Sequence, residues 1–163
     1  MKFSRRTFLQ SSAALVAGAI LPNSSSFGAT ATAGPFEISL FTKHFIGLPY
    51  DRLAEVVAGL GFTGIEAPIR PGGHVEPAKV EEDLPKLVEA LKRCGVRITM
   101  LTSAINSVSD ATRTEVVLKT AKSLGIPRYR MNWYNYDNKL PIWPQVDEIR
   151  PKLKDLVAMS KEI

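Results

Sequence analysis

Cysteine is almost absent from this 163-residue chain: Cys94 stands alone, and no internal disulfide can form. Histidine is nearly as scarce, with only His44 and His74. Acidic residues are missing altogether from the first 33 positions, which carry Lys2, Arg5 and Arg6. Beyond them the chain holds 18 basic residues against 16 acidic ones, so most of the formal charge of +5 belongs to the extreme N-terminus. That balance gives no support for an electrostatic nucleic-acid surface. No apolar run reaches the roughly 20 residues needed to span a bilayer, so no stable membrane anchor is expected. No glycine-rich phosphate loop follows any apolar run, which weakens a nucleotide-binding sheet. What is present is ordinary globular composition, 45% apolar and 23% charged, in a length that accommodates one domain with a packed core.

The first segment reads as an address. Ser4-Arg5-Arg6-Thr7-Phe8-Leu9-Gln10 precedes a mildly apolar stretch from Ala13 to Leu21, then small residues through Ala33, the charge, apolar, small-residue order of a secretory signal. The paired arginines followed by Phe8 and Leu9 resemble the twin-arginine export signal, with Gln10 in place of its usual final lysine. Ala29-Thr30-Ala31 and Ala31-Thr32-Ala33 both fit a cleavage site, so a mature domain is expected over 34–163, in the periplasm or otherwise exported.

From Phe36 onward short apolar runs alternate four times with helical patterns. The runs are Phe36–Phe45, Gly64–Ile69, Val96–Ala104 and Arg128–Tyr134. The helical stripes are Leu53, Val56, Val57, Leu60; then Leu84, Leu87, Val88, Leu91; then Val117, Ala121, Leu124; and finally Leu153, Leu156, Val157, Ser160. Gly61-Phe62, Gly95-Val96 and Gly125-Ile126 end the first three stripes, glycine accepting the left-handed conformation that stops a helix just before a strand begins. The segment Val80 to Leu87 is weakly echoed by Val146 to Leu153, which places Pro85 and Pro151 in first helical turns.

Strands joined by helices make either an open doubly wound sheet or a (β/α)8 TIM barrel. Strand parity favours the barrel. In the second strand Ile65, Ala67 and Ile69 alternate with Glu66, Pro68 and Arg70; in the fourth, Tyr129, Met131 and Trp133 alternate with Arg128, Arg130 and Asn132. Val96, Ile98 and Met100 against Arg97, Thr99 and Leu101 repeat the pattern more softly in the third. A barrel turns apolar residues outward to its helices and accepts polar ones inside, whereas a doubly wound sheet covers both faces with helices. A full barrel takes about 250 residues. The fold expected here is therefore α/β, about four of the eight units, a half-barrel following a signal peptide. Such a half is expected to be poorly stable alone or to close as a homodimer.

In barrels, chemistry sits at the C-terminal ends of strands. The richest such segment is Arg70-Pro71-Gly72-Gly73-His74-Val75-Glu76-Pro77, where Arg70 is suited to holding a carboxylate or phosphate. Lys43 and His44 follow the first strand, Asn106 the third, and Trp133, Tyr134 and Tyr136 the fourth. The aromatics suit a wall against which a sugar stacks, though Trp133, on the apolar side of its strand, is better read as packing. Glu66 serves either as a proton-transferring or orienting carboxylate or as an interior ion pair with Arg97 or Arg130. Cys94, at a helix end, reads as a small buried filler.

Lys43-His44-Phe45, Gly61-Phe62-Thr63-Gly64-Ile65-Glu66, the run Arg70 to Pro77 with Glu82-Asp83-Leu84-Pro85 behind it, and Tyr129-Arg130-Met131 resemble the xylose isomerase-like barrels known as sugar phosphate isomerases and epimerases. The resemblance covers Phe36 to Ile163. It implies a divalent metal (Mn, Mg or Co) chelating adjacent sugar oxygens while carboxylates move a proton next to a carbonyl through an enediolate. The metal ligands of that family come mainly from strands five to eight, so none is expected within this chain. On this basis Glu66 and His74 are candidate catalytic residues, and Lys43, His44, Arg70, Asn106, Tyr134 and Tyr136 candidate contacts to a small sugar or sugar phosphate. The chain alone is expected to be inactive and to bind no metal. A non-catalytic sugar-binding or self-assembling half-barrel is the alternative, with an abasic-site endonuclease-like fragment ranking lower.

Overall fold

A computed structural model describes residues 37–163; the leader segment, its cleavage site and the start of the first apolar run lie outside the described residues. Four parallel strands form one sheet in the order β1 (Ser39–Phe41), β2 (Gly64–Ile69), β3 (Arg97–Ser103), β4 (Tyr129–Arg130). Between and after them come α1 (Tyr50–Gly59), α2 (Val80–Arg93), α3 (Thr114–Ser123) and α4 (Ile142–Glu162). The strand order follows the chain order, with a helix crossing over between each neighbouring pair, which is the topology of a barrel wall.

The three glycine stops act as read. Gly61, Gly95 and Gly125 all have positive φ. At each, the amide after the glycine bonds five residues back and the glycine amide three back: Phe62 to Val57 at 3.2 Å with Gly61 to Ala58 at 2.9 Å, then Val96 to Leu91 and Gly95 to Lys92, then Ile126 to Ala121 and Gly125 to Lys122. This paired pattern satisfies the last helical carbonyls and turns the chain straight into the next strand.

The helices cover one face only. Leu53 and Val57 of α1, Leu84, Leu87 and Leu91 of α2, and Val117 and Ala121 of α3 bury against Ile65, Ala67, Ile69, Ile98 and Leu101 of the sheet. Each fully buried aliphatic of this layer contributes about 1.5–3 kcal/mol. Leu60, expected in the α1 stripe, is exposed at the helix end.

The structure corrects the sequence reading in several places. The first strand is three residues long, because Thr42–Phe45 closes into a 3-10 turn. The fourth is two residues long: β4 has one neighbour, and past Arg130 only Asn132 still reaches across, its amide bonding the Ile105 carbonyl at 2.7 Å. The third strand carries a bulge. Ile65 pairs with Ile98 but Glu66 with Met100, so Thr99 is an extra residue and the parity beyond it inverts. Leu101 is consequently buried beneath the helices, opposite Ala67, while Thr102 turns to the other face. The inserted Thr99 is held by its own hydroxyl, which donates to the Ile65 carbonyl at 3.0 Å and lies 2.7 Å from the Ser39 hydroxyl. The prolines also sit deeper than expected: Pro85 is the sixth residue of α2 and Pro151 the tenth of α4. Each leaves the carbonyl four residues earlier, on exposed Glu81 or Asp147, to solvent. Of the α4 stripe only Leu156 is buried; Leu153 and Val157 stay exposed. Trp133, expected to pack, is 67% exposed.

Candidate functional site

The sheet face away from the helices carries one charged layer that runs across all four strands. Glu66 of β2 stands opposite Phe41 of β1, and Thr102 of β3 opposite Arg130 of β4. The Arg130 guanidinium lies 2.5 Å from Glu66 Oε1 and 3.3 Å from the Thr102 hydroxyl, which in turn donates to Glu66 Oε1. The same guanidinium sits over the Phe41 ring, 5.1 Å from its centre, within cation–π range. The ion pair between Glu66 and Arg130 that the sequence offered is formed. Arg97 turns instead to Glu37, which it holds through two nitrogens at 2.9 and 2.6 Å. Glu66 is the sheltered member of its pair, 15% exposed, and Arg130 is half-exposed, so the guanidinium keeps donors free toward solvent.

Above this layer the run after β2 is a built loop. The His74 amide bonds the Pro68 carbonyl at 2.9 Å, the Gly73 amide bonds Arg70 at 2.8 Å, and the Gly72 amide donates to the Glu76 carboxylate at 2.7 Å. Val75 is buried and bridges to Ile69. The loop is pinned to its neighbours through His74, whose carbonyl accepts from the Tyr50 hydroxyl at 3.0 Å and whose Nε2 lies 3.1 Å from the Thr42 carbonyl and 3.0 Å from the Thr42 hydroxyl. A carbonyl can only accept, so Nε2 carries the proton and Nδ1 is the acceptor. The Thr42 hydroxyl meanwhile donates to the backbone carbonyl of Glu66 at 3.1 Å, joining the loop histidine to the strand that bears the carboxylate. Burial holds the His74 pKa below its ordinary value, against a smaller opposite pull from the Thr42 carbonyl, so the ring is neutral at neutral pH.

The loops after β3 and β4 are tied by the Tyr134 hydroxyl, which donates to the Asn106 carbonyl. Burial, with a smaller contribution from Tyr136, raises the Tyr134 pKa, so the phenol stays protonated as a donor. The sequence-derived candidates thus fall into two linked sets, Glu66 with His74 through Thr42, and Asn106 with Tyr134. Lys43 and His44 are exposed on the turn after β1, Arg70 is half-buried at the end of β2, and Tyr136 is exposed; among the described residues their side chains join neither network by a hydrogen bond or ion pair. Thr42, Thr102 and Arg130 complete the site and were not among the candidates. Arg130 was legible as an inward polar residue of its strand, but Thr102 was hidden by the bulge. Cys94 is half-buried against the core.

No three His, Cys, Asp or Glu side chains converge among the described residues, and the Glu66 carboxylate is already neutralised by Arg130. These residues do not fit a divalent metal.

Residues 2–22 match the twin-arginine translocation pathway signal sequence, which indicates export by that route. No curated protein matches the chain. Among solved structures, a D-psicose 3-epimerase crystallised in the presence of D-fructose superposes with a TM-score of 0.52 at 14% identity, over 78% of this chain and 49% of that one. The fold of the described residues of this chain is thus a partial TIM barrel of four β/α units. A second D-psicose 3-epimerase, from Clostridium cellulolyticum H10 with D-tagatose, gives a TM-score of 0.47 at 15% identity, over 77% and 50% of the two chains. The chain spans about half the length of these structures. At this identity the likeness to the first structure shows the fold alone. Among the described residues, no helix is long and apolar enough to cross a membrane.

Proposed function

We propose that this chain forms the sugar-holding face of an exported, periplasmic isomerase- or epimerase-type barrel, and that by itself it binds a small sugar without converting it. The observation that carries the reading is the Phe41–Glu66–Thr102–Arg130 layer, a charged, hydrogen-bonded face on the side that a barrel of this type turns to its axis. Arg130 offers donors to sugar hydroxyls, and Glu66 orients it while presenting its second oxygen as an acceptor. His74, neutral and fixed through Nε2–H, keeps Nδ1 to accept a hydroxyl proton. The pairing with Arg130 suits Glu66 to orientation rather than to abstracting a proton from carbon. In the wider superfamily a divalent ion, Mn, Mg or Co, would polarise the sugar carbonyl. The described residues do not bring together three such ligands for it. The D-fructose present with the first solved neighbour makes unphosphorylated ketoses the first candidates.

The test is titration of the purified exported chain with D-fructose, D-tagatose and D-psicose, with and without Mn2+, following heteronuclear NMR shifts and sugar interconversion by chromatography. Shifts at Arg130, Glu66 and His74, lost in Arg130→Met, with no new sugar formed, are expected. Absence of binding to every sugar would overturn the assignment, and interconversion would overturn the inactivity.

A further inference from the structure

Arginine at position 113 runs against two local rules at once. It is the N-cap of α3, where a short side chain that accepts the first helical amides is favoured, and it makes no such bond. Its backbone is left-handed, at φ +49° and ψ +41°, and among the described residues it is the one position other than glycine with positive φ. Glycine would meet both conditions more easily. The conformation is held from the backbone side, the Arg113 amide donating to the Asp110 carbonyl at 3.0 Å and the Arg113 carbonyl accepting the Val117 amide at 2.9 Å. The bend before it is cross-bonded through buried Thr114, whose hydroxyl donates to the Ser107 carbonyl at 2.8 Å and accepts the Ser109 amide at 3.2 Å. The Arg113 side chain leaves this bend altogether. Its guanidinium donates to the Ala78 carbonyl at 2.7 Å, the Pro77 carbonyl at 3.3 Å and the Glu81 carboxylate at 2.9 Å, all where the loop after β2 runs into α2. One planar fork thus fastens two backbone carbonyls and a carboxylate of the neighbouring unit, with the arginine side chain itself two-thirds buried.

We propose that Arg113 is a positioning residue that locks the loop bearing His74 to the loop bearing Asn106. The order of contacts is unbroken. Tyr134 donates to Asn106, the bend from Ser107 to Thr114 follows in the chain, Arg113 crosses to Pro77 and Ala78, and His74 lies three residues before Pro77. The two sets of candidate residues, Glu66 with His74 and Asn106 with Tyr134, are thereby held as one rim. A left-handed residue bearing a Cβ persists only where its surroundings over-determine it, and strain of this kind collects at sites whose geometry has to be fixed. The ion pair to Glu81 alone would contribute little, because that carboxylate is exposed. The two carbonyl bonds carry the hold. That the rim serves a sugar rests on the function proposed above, whereas the lock itself does not.

The experiment is amide hydrogen exchange of the purified exported chain, read by heteronuclear NMR, with D-fructose titration alongside. Arg113→Gly suits the left-handed backbone and removes the fork, so the Gly73 and His74 amides are expected to exchange about tenfold faster or more while those of Leu87 and Ile98 stay within about twofold. Arg113→Lys keeps the charge without the fork and is expected to follow it at the loop. Glu81→Gln, which leaves both carbonyl bonds, is expected to change loop exchange by no more than about twofold. Tyr134→Phe, at the far end of the contacts, is expected to speed the His74 amide by about twofold in the parent and to add nothing in Arg113→Gly. The D-fructose dissociation constant is expected to rise about twofold to thirtyfold in Arg113→Gly. Loop amides unmoved by Arg113→Gly, or core amides quickened as much as the loop, would overturn the proposal. So would Glu81→Gln acting as strongly as Arg113→Gly, a Tyr134→Phe effect that persists without the arginine, or D-fructose bound equally well with and without it. A parent chain that binds no D-fructose would overturn the sugar reading only, the exchange rates still deciding for or against the lock.

Discussion

Gly72 and Gly73 are neighbours in the loop that carries His74, yet substituting alanine at each is expected to act through different physics and by different amounts. A Cβ on Gly72 meets nothing within 4 Å, but the residue has φ of +68°. The left-handed conformation costs about 1–2 kcal/mol for an L side chain, and the stiffer unfolded chain returns about 0.4–1 kcal/mol. The net loss for Gly72→Ala is therefore about 0–1.6 kcal/mol. At Gly73 a Cβ would stand 2.5 Å from the Pro68 carbonyl oxygen and 2.9 Å from that of Arg70, both backbone atoms. Those carbonyls accept the His74 and Gly73 amides, so relief of the clash breaks the bonds that form the loop. Overpacking at about 1–3 kcal/mol and two hydrogen bonds at about 1 kcal/mol each, less the same unfolded-state gain, leave about 2–4 kcal/mol. Urea denaturation of both variants against the parent chain measures the two values, and ketose titration reads whether His74 stays in place. Gly73→Ala is expected to lose far more stability than Gly72→Ala and to weaken sugar binding as well. Equal losses, or a larger loss at Gly72, would refute the close-approach argument.

The depressed His74 pKa makes the unfolded chain bind protons more tightly than the folded one at that ring. Stability from this group is thus full above the ordinary value of 6.5 and lost as pH falls below it; melting temperatures between pH 7.5 and 5 are expected to drop less in His74→Gln than in the parent. Tyr50→Phe removes the donor to the His74 carbonyl, and a loss of about 1 kcal/mol in urea denaturation is expected, with the helical signal intact. Glu66→Gln breaks the pair with Arg130 while keeping an acceptor for Thr102; because Arg130 is half-exposed, a stability loss of only about 1 kcal/mol is expected, accompanied by weaker sugar binding. Leu87→Ala, in the middle of the covered face, is expected to cost about 2–5 kcal/mol, a contrast that separates the core from the inner layer.

The parts of the fold legible in the sequence are those set by local rules. Glycine followed by an apolar residue marked three helix ends correctly, because the capping geometry needs only the few residues on either side. Alternation in β2 assigned Ile65 to the helices and Glu66 to the other face for the same reason. The errors arose where a neighbour decides. Thr99 inserts into β3 by bonding Ile65 and Ser39, residues 34 and 60 positions away, and nothing in the alternation of β3 itself announces that. The lengths of β1 and β4 depend on partners across a sheet edge, which a periodicity does not contain. In the site, His74 was visible as a residue type at a strand end, but its role as a pin through Thr42 and Tyr50 was not, since those contacts cross two elements.

The two faces of the sheet place opposite demands on their surroundings. The helix-covered face is satisfied within one copy, its aliphatic layer being almost wholly buried. The other face holds a carboxylate that is nearly sheltered beside a guanidinium that is half-exposed, an arrangement that in open solvent contributes little because water competes for both groups. Enclosing that layer lowers the local dielectric, and the pair then strengthens only if every remaining donor of Arg130 finds an acceptor. A bound sugar supplies such acceptors and displaces the water that competes for both groups. Sugar binding and fold stability are therefore expected to be linked: a saturating ketose raises the melting temperature of the parent chain, and Arg130→Met abolishes that effect. An Arg130→Met chain stabilised by ketose as much as its parent would show that the sugar is held elsewhere.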